Sequence, residues 1–164
     1  NNLTSLSGGG HFEDLSLLKI IDLRSNNLTT LTSDIRHLKN LEELYLNNNL
    51  LKCLPEGVGE LSRLRILSLS FNRVKRLSEA VGRLANLREL YLQGNPALCH
   101  LPDSLARAAN LRRLVIDVGR YVHPPNDTVL AGTREVLRYL AKRESTLFYL
   151  FNTSCNTLYC PVLQ

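Results

Sequence analysis

A leucine recurs at nearly constant spacing along most of this 164-residue chain, and that recurrence leaves few folds open. Leu18, Leu41, Leu64, Leu87 and Leu111 follow one another at intervals of 23, 23, 23 and 24 residues. Each opens the row L-x-x-L-x-L-x-x-N-x-L: LKIIDLRSNNL, LEELYLNNNLL, LRILSLSFNRV, LRELYLQGNPA and a degenerate LRRLVIDVGRY. We number these rows one to five. A unit this short cannot bury its own leucines, so each must lie against its neighbours and the rows must fold as one array.

The L-x-x-L-x-L segment reads as a short strand with its leucines turned inward, and successive strands pair in parallel. The inward pairs are Ile21/Leu23, Leu44/Leu46, Leu67/Leu69, Leu90/Leu92 and Leu114/Ile116. The ninth position holds Asn26, Asn49, Asn72 and Asn95, expected to form a structural ladder that satisfies backbone groups where each strand ends. The return leg reads L-P-x-x-[LV]-x-x-L-x-x-N, as in Leu54-Pro55, Val58 and Leu61, with Thr32 and Ser78 in place of the proline in two rows. Leucines at three- and four-residue spacing there predict a short helix or 3₁₀ turn on the convex side. The fold class is therefore an α/β solenoid with a parallel concave sheet, short convex helices or 3₁₀ turns, and a C-terminal capping helix.

Both ends depart from the row. Asn1 and Leu3 match Asn26 and Leu28, so residues 1–17 read as a partial repeat followed by an irregular turn at Ser7-Gly8-Gly9-Gly10. The absence of Met and this mid-repeat beginning suggest a piece of a longer protein. Repeats fill 18–121, where Gly119 stands in place of the ladder Asn. Residues 122–164 read as a helical cap: Pro124-Pro125 end the array, and Asn126-Asp127-Thr128 offer helix-start chemistry. Val129, Val136, Leu137 and Leu140 then share one helical face, with a possible break at Gly132, and cover the open edge of the last strand. The Leu-, Phe- and Tyr-rich tail from Leu147 to Gln164 is expected to fold back on the cap or on a neighbour.

The residues offer no catalytic constellation. Cys53, Cys99, Cys155 and Cys160 lack the paired spacing of a zinc site and read as free thiols. His11, His37, His100 and His123 are scattered, without a Ser/His/Asp grouping, and Gly8 to Gly10 do not lead into a phosphate-binding turn. No metal, cofactor or catalytic role is expected. Sequons at Asn2, Asn27, Asn126 and Asn152 are what an Asn-rich array produces by coincidence. The net charge of +5 comes from interspersed acids and bases, so a nucleic-acid partner is not expected. There is no secretory leader pattern and no apolar run of membrane-spanning length, which makes the cytoplasm the expected compartment.

The rows resemble leucine-rich repeats of the intracellular Ras-suppressor class. The closing segment Val122 to Ser145, VHPPNDTVLAGTREVLRYLAKRES, resembles the block that closes the array in the leucine-rich repeat and sterile alpha motif-containing RING ubiquitin ligases. The opening NNLTSL and the ending LYCPVLQ are similar to that family as well. The resemblance implies a target-recognition part of a cytosolic ubiquitin ligase, without its RING. A shorter form of the same block closes arrays in Roco-type proteins, so a scaffold or regulator unconnected with ubiquitin is the alternative. A secreted receptor ectodomain is a third class, disfavoured by the lack of cysteine-rich caps.

Geometry places the partner-binding surface. Side chains alternate across a strand, so the residues between the leucines face the concave side. They form three columns: Ile20, Glu43, Ile66, Glu89, Arg113; Asp22, Tyr45, Ser68, Tyr91, Val115; and Arg24, Asn47, Ser70, Gln93, Asp117. Tyrosine and arginine combine area with polar reach and are frequent interface anchors. The expected protein-binding residues are Tyr45, Ile66, Phe71, Arg88 and Tyr91, with Glu43, Glu89 and Arg113 beside them. Oligomeric state is open at this point.

Overall fold

The computed structural model describes residues 2–6, 12–119 and 121–153. Five three-residue strands, β1 (Ile20–Asp22), β2 (Glu43–Tyr45), β3 (Ile66–Ser68), β4 (Glu89–Tyr91) and β5 (Arg113–Val115), form one parallel sheet in chain order. The register is the one the row spacing demands: Ile21 pairs with Leu44, Leu44 with Leu67, Leu67 with Leu90 and Leu90 with Leu114. Stacking identical rows puts each leucine over its counterpart. Leu44, Leu46, Leu67, Leu69, Leu90 and Leu92 are fully buried.

The return legs are 3₁₀ turns: η1 (Phe12–Leu15), η2 (Ser33–His37), η3 (Glu56–Glu60), η4 (Glu79–Arg83) and η5 (Asp103–Arg107). Ile35, Val58, Val81 and Leu105 pin them to the leucine core. Pro55 and Pro102 begin η3 and η5 with φ of −70° and −68°. In the other two repeats the same extended geometry is held by a hydroxyl. Thr32 Oγ1 accepts from Asp34 N, and Ser78 Oγ from Ala80 N. Proline and a capping hydroxyl are thus two solutions to one turn.

The extra residue of the 24-residue interval sits after Asn95. Elsewhere the buried residue falls two places beyond the ladder Asn, as Leu28, Leu51 and Val74; in row four it is Leu98, three places on. The core layer is kept and the turn absorbs the insertion.

The Asn side chains bind along the array. Asn72 Oδ1 accepts from Leu51 N at 3.0 Å, while Nδ2 donates to Leu46 O, Leu69 O and Ser70 O. Asn26, Asn49 and Asn95 likewise accept from Leu3 N, Leu28 N and Val74 N. Each amide ties its strand end to the row before it.

After row five, α1 (Asn126–Leu130) and α2 (Thr133–Thr153) are separated at Gly132, whose φ of +95° no helix interior allows. Helix α2 packs against η5 and seats Val136 and Leu140 in the core. Thr133 Oγ1 accepts from Leu114 N on the outer strand, and Arg143 binds Asp103 at 3.0 Å. One sequence expectation is corrected. Asn126 does not cap α1; its Oδ1 accepts from Gly119 N at 2.9 Å and so closes the row that lost its ladder residue, while Pro125 opens the helix. The glycine turn at 8–10 and the tail beyond Thr153 lie outside the described residues, as do Cys155 and Cys160.

Candidate concave binding site

Each strand presents two residues to the concave side and the residue two places beyond its end a third, so the sheet carries three columns across five rows. The register sets Ile20, Glu43, Ile66, Glu89 and Arg113 in one line and Asp22, Tyr45, Ser68, Tyr91 and Val115 in the next. Rows two and four share the sequence Glu-Leu-Tyr-Leu and build the same unit. Tyr45 donates its hydroxyl to Glu43 Oε2 at 2.8 Å, and Tyr91 donates to Glu89 Oε2. These hydrogen bonds come first among the causes that raise both phenols above their ordinary range, followed by partial burial and the charge of the same carboxylate.

A guanidinium lies over each ring, from the row on the side away from row three. Arg24 of row one is 5.3 Å from the Tyr45 centroid and Arg113 of row five is 5.4 Å from that of Tyr91. Arg24 is also bound to Asp22 at 2.6 Å, which lowers the Asp22 carboxyl below its ordinary range. The side of each tyrosine toward row three is different. Ser68 is the residue between them, and it is 3% exposed. Behind it Ser70 is fully buried. Row three therefore lies beneath side chains of its neighbours, between the two tyrosines, with Ile66 at one end.

The other expected residues fall in two places. Glu43 and Glu89 flank Ile66 in the same column, and Arg113 stacks on Tyr91. Arg88 lies one column outside Glu89, on the rim, where it lines a shallow recess with Glu42, Arg63, Arg65 and Asn86. Glu42 there is bound to Arg65 at 3.1 Å.

Phe71 lies at the end of row three and is 57% exposed. Its φ is +56°, the left-handed conformation that Ser25, Asn48 and Gly94 adopt at the same place in rows one, two and four. A bulky side chain is an outlier there. The structure puts the ring on Gly94. A Cβ on Gly94 would sit 2.5 Å from Phe71 Cδ1, so only glycine leaves the ring its seat.

Sequence reasoning missed three polar atoms. Asn47 Oδ1, Ser70 Oγ and Gln93 Oε1 are buried without a hydrogen-bond partner, and all three belong to the third concave column. Their alignment was legible from the rows; their burial depends on how neighbouring side chains lie over a small serine.

A second recess, of about 590 Å³, lies between the row-four turn and the cap, lined by Cys99, His100, His123 and Arg143 among others. Its histidines hold structure together. His100 and His123 form a parallel bridge, and His123 Nδ1 is 3.1 Å from Tyr139 Oη on α2. Cys53 and Cys99 are free thiols. Among the described residues no group of three or more His, Cys, Asp or Glu is arranged to hold a metal, and no helix is long and apolar enough to cross a membrane.

Comparison with known proteins agrees with this architecture. A family model described as a leucine-rich repeat region matches residues 3–149, and the chain belongs to the leucine-rich repeat family. A leucine-rich repeat protein of Leptospira interrogans superposes with a TM-score of 0.66 at 30% identity, over 82% of this chain and 33% of that one. The plant peptide hormone receptor RGFR1, solved in complex with RGF2, gives 0.58 at 33% identity over 63% of this chain and 17% of the receptor. PEPR1, solved with AtPEP1, gives 0.58 at 31% identity over 64% and 15%. This chain thus spans about a third or less of these three structures. No curated protein sequence matches it. The repeat fold is of a kind that serves as a non-catalytic protein-interaction module.

Proposed function

We propose that this chain recognises a protein partner along rows two to four of its concave sheet, as the target-binding part of a cytosolic RING ubiquitin ligase. The observation that carries the binding reading is the repeated Glu-Tyr unit. Two rings, each anchored to a carboxylate and covered from outside by a guanidinium, stand on either side of a buried serine row. Rigid tyrosines held this way lose little entropy on binding and present large area with a polar tip. The plant peptide hormone receptor, solved in complex with RGF2, supports a polypeptide ligand for repeats of this type.

The ligase reading rests on the resemblance of Val122 to Ser145 to the closing block of that family. The same block is compatible with a Roco-type or Ras-suppressor scaffold. The full-length gene separates the two. A coiled coil, sterile alpha motif and RING after Gln164 support the ligase; a GTPase domain in their place overturns it. Cytoplasmic residence is tested on protein from its native source, where Cys53 and Cys99 should be reduced and Asn27 unmodified.

The binding surface is tested by affinity capture of a partner from the native source, followed by calorimetric titration with that partner. Tyr45→Ala and Tyr91→Ala are each expected to weaken binding by ~1–3 kcal/mol without altering the thermal midpoint. Unchanged affinity in both variants overturns the concave assignment.

A further inference from the structure

A file of charged side chains runs along the rim of the sheet, outside the three concave columns. The residue after the first leucine of each row is Lys19, Glu42, Arg65, Arg88 and Arg112. Backbone hydrogen bonds fix their alignment: Arg65 N donates to Glu42 O, Arg88 N to Arg65 O and Arg112 N to Arg88 O, at 2.7, 2.8 and 2.9 Å. Neighbours in the file are therefore one strand apart, about 4.8 Å, and Arg65 and Arg112 are about 10 Å apart. All three arginines are exposed. Arg63 joins Arg65 and Arg88 in lining one recess, and Arg134 of α2 joins Arg112 in lining another.

Charge along the file is balanced only in its first half. Glu42 lies 3.8 Å from Lys19 and 3.1 Å from Arg65, so rows one to three carry a cation, an anion and a cation. From row four on the file supplies no carboxylate. Among the described residues the side chains of Arg63, Arg88, Arg112 and Arg134 are in no ion pair or hydrogen bond. Two acids adjoining them in sequence are engaged elsewhere: Glu89 accepts from Tyr91, and Glu135 is bound to Arg138. Like charges set opposite one another on adjacent strands oppose folding, so the array bears a repulsion here that its own residues leave unrelieved.

We infer that this rim takes an acidic segment of the protein partner, its carboxylates meeting Arg88 and Arg112 with Arg63 and Arg134 beside them. A guanidinium offers a carboxylate two parallel N–H donors, and the Glu42–Arg65 pair is the same contact made within the molecule one row away. An extended chain advances about 3.3 Å per residue, so roughly four residues cover the distance from Arg65 to Arg112. The file is one residue wide, and the concave column beside it holds Glu43 and Glu89. A broad anionic surface, whether a nucleic-acid duplex or a bilayer, would press on both carboxylates, whereas a single polypeptide strand meets the file alone. The inference rests on the protein-partner reading and adds a second contact, outside the tyrosines.

The test uses the full chain and two capped hexapeptides, acetyl-Gly-Glu-Glu-Glu-Glu-Gly-amide and its glutamine counterpart, followed by amide chemical shifts. The glutamate peptide should shift Arg65, Arg88 and Arg112 saturably, bind about tenfold more tightly than the glutamine peptide, and lose affinity as salt is raised. Arg88→Gln with Arg112→Gln should reduce its affinity about tenfold, with the thermal midpoint unchanged or raised. Lys75→Gln with Arg76→Gln removes the same charge from the recess beside the cap and should leave the affinity as it was. Equal losses in the two double variants, or equal binding of the glutamine peptide, overturn the rim site. Tighter binding of a short DNA duplex, or of vesicles of equal parts phosphatidylserine and phosphatidylcholine, overturns the polypeptide occupant if the Arg88/Arg112 pair abolishes it. A protein partner weakened by Tyr45→Ala and Tyr91→Ala but not by the arginine pair overturns the rim and leaves the concave reading standing. The reverse pattern supports the rim and overturns the tyrosine assignment.

Discussion

Phe71 is held at a φ of +56° with more than half its surface in solvent, a conformation disfavoured by about 1–2 kcal/mol for an ordinary residue. Strain of this kind persists where the surroundings fix it, and it collects at binding sites. Phe71→Asn, which places in row three what row two already carries, should leave stability unchanged or raise it by ~1 kcal/mol in denaturant unfolding. Gly94→Ala should lose ~1–3 kcal/mol, since the methyl both takes the ring's seat and sits at a φ of +75°. In the Phe71→Asn background part of that loss should return. Strictly additive effects in the double-mutant cycle would show that ring and glycine do not touch. None of this was visible in the sequence beyond an aromatic in an exposed column, because the seat is made by a residue 23 positions away whose only signal is the lack of a side chain.

The repeat as an element was far more legible, because two periods coincide. Strand alternation fixes which residues turn inward, and the row interval fixes which of them meet. Leu67, Asn72 and Tyr45 could thus be placed without coordinates. What escaped was how the same geometric demand is met where the usual residue is missing. Ser78 stands in for a proline at η4, Leu98 takes the core place an insertion displaced, and Asn126 supplies from the cap what Gly119 lacks. The Asn ladder yields a graded expectation. Asn72→Ala strips the acceptor from buried Leu51 N and the donor from Leu46 O, and should cost ~2–4 kcal/mol by chemical denaturation. Asn26→Ala, at the exposed first row, should cost about half as much. Equal losses would mean the amides act within their own rows and not between them.

At the scale of the whole molecule, the array is a stack with two different ends, and the C-terminal one is closed by Tyr121 and α2. Tyr121 is buried, and burial is the main cause, ahead of the Asp117 and Cys99 charges, that pushes its hydroxyl well above the ordinary phenol range. The protonated form is favoured in the folded chain, so its contribution to stability is present below about pH 10 and lost as pH rises past that value. Tyr45 and Tyr91 act in the same direction. Denaturant midpoints measured from pH 8 upward should therefore fall beyond about pH 10, and Tyr121→Phe should flatten the fall. An unaltered slope in that variant would place the alkaline sensitivity elsewhere. The cap itself was foreseeable from its apolar spacing, whereas its polar fastening through Thr133 to Leu114 and Arg143 to Asp103 joins residues far apart in the chain with no periodic signal.

The parallel one-strand-per-row pairing makes distance along the inner wall a counted quantity. Tyr45 and Tyr91 are separated by one intervening strand and can be moved only in whole strands. Excising a unit such as 64–86 would set the two tyrosines side by side and erase the gap; duplicating it would double the gap, and the leucine layers would restack in both cases. Spacing of this kind is inherited by copying or losing a unit, a different route from the gradual exchange of side chains that tunes a surface of fixed size.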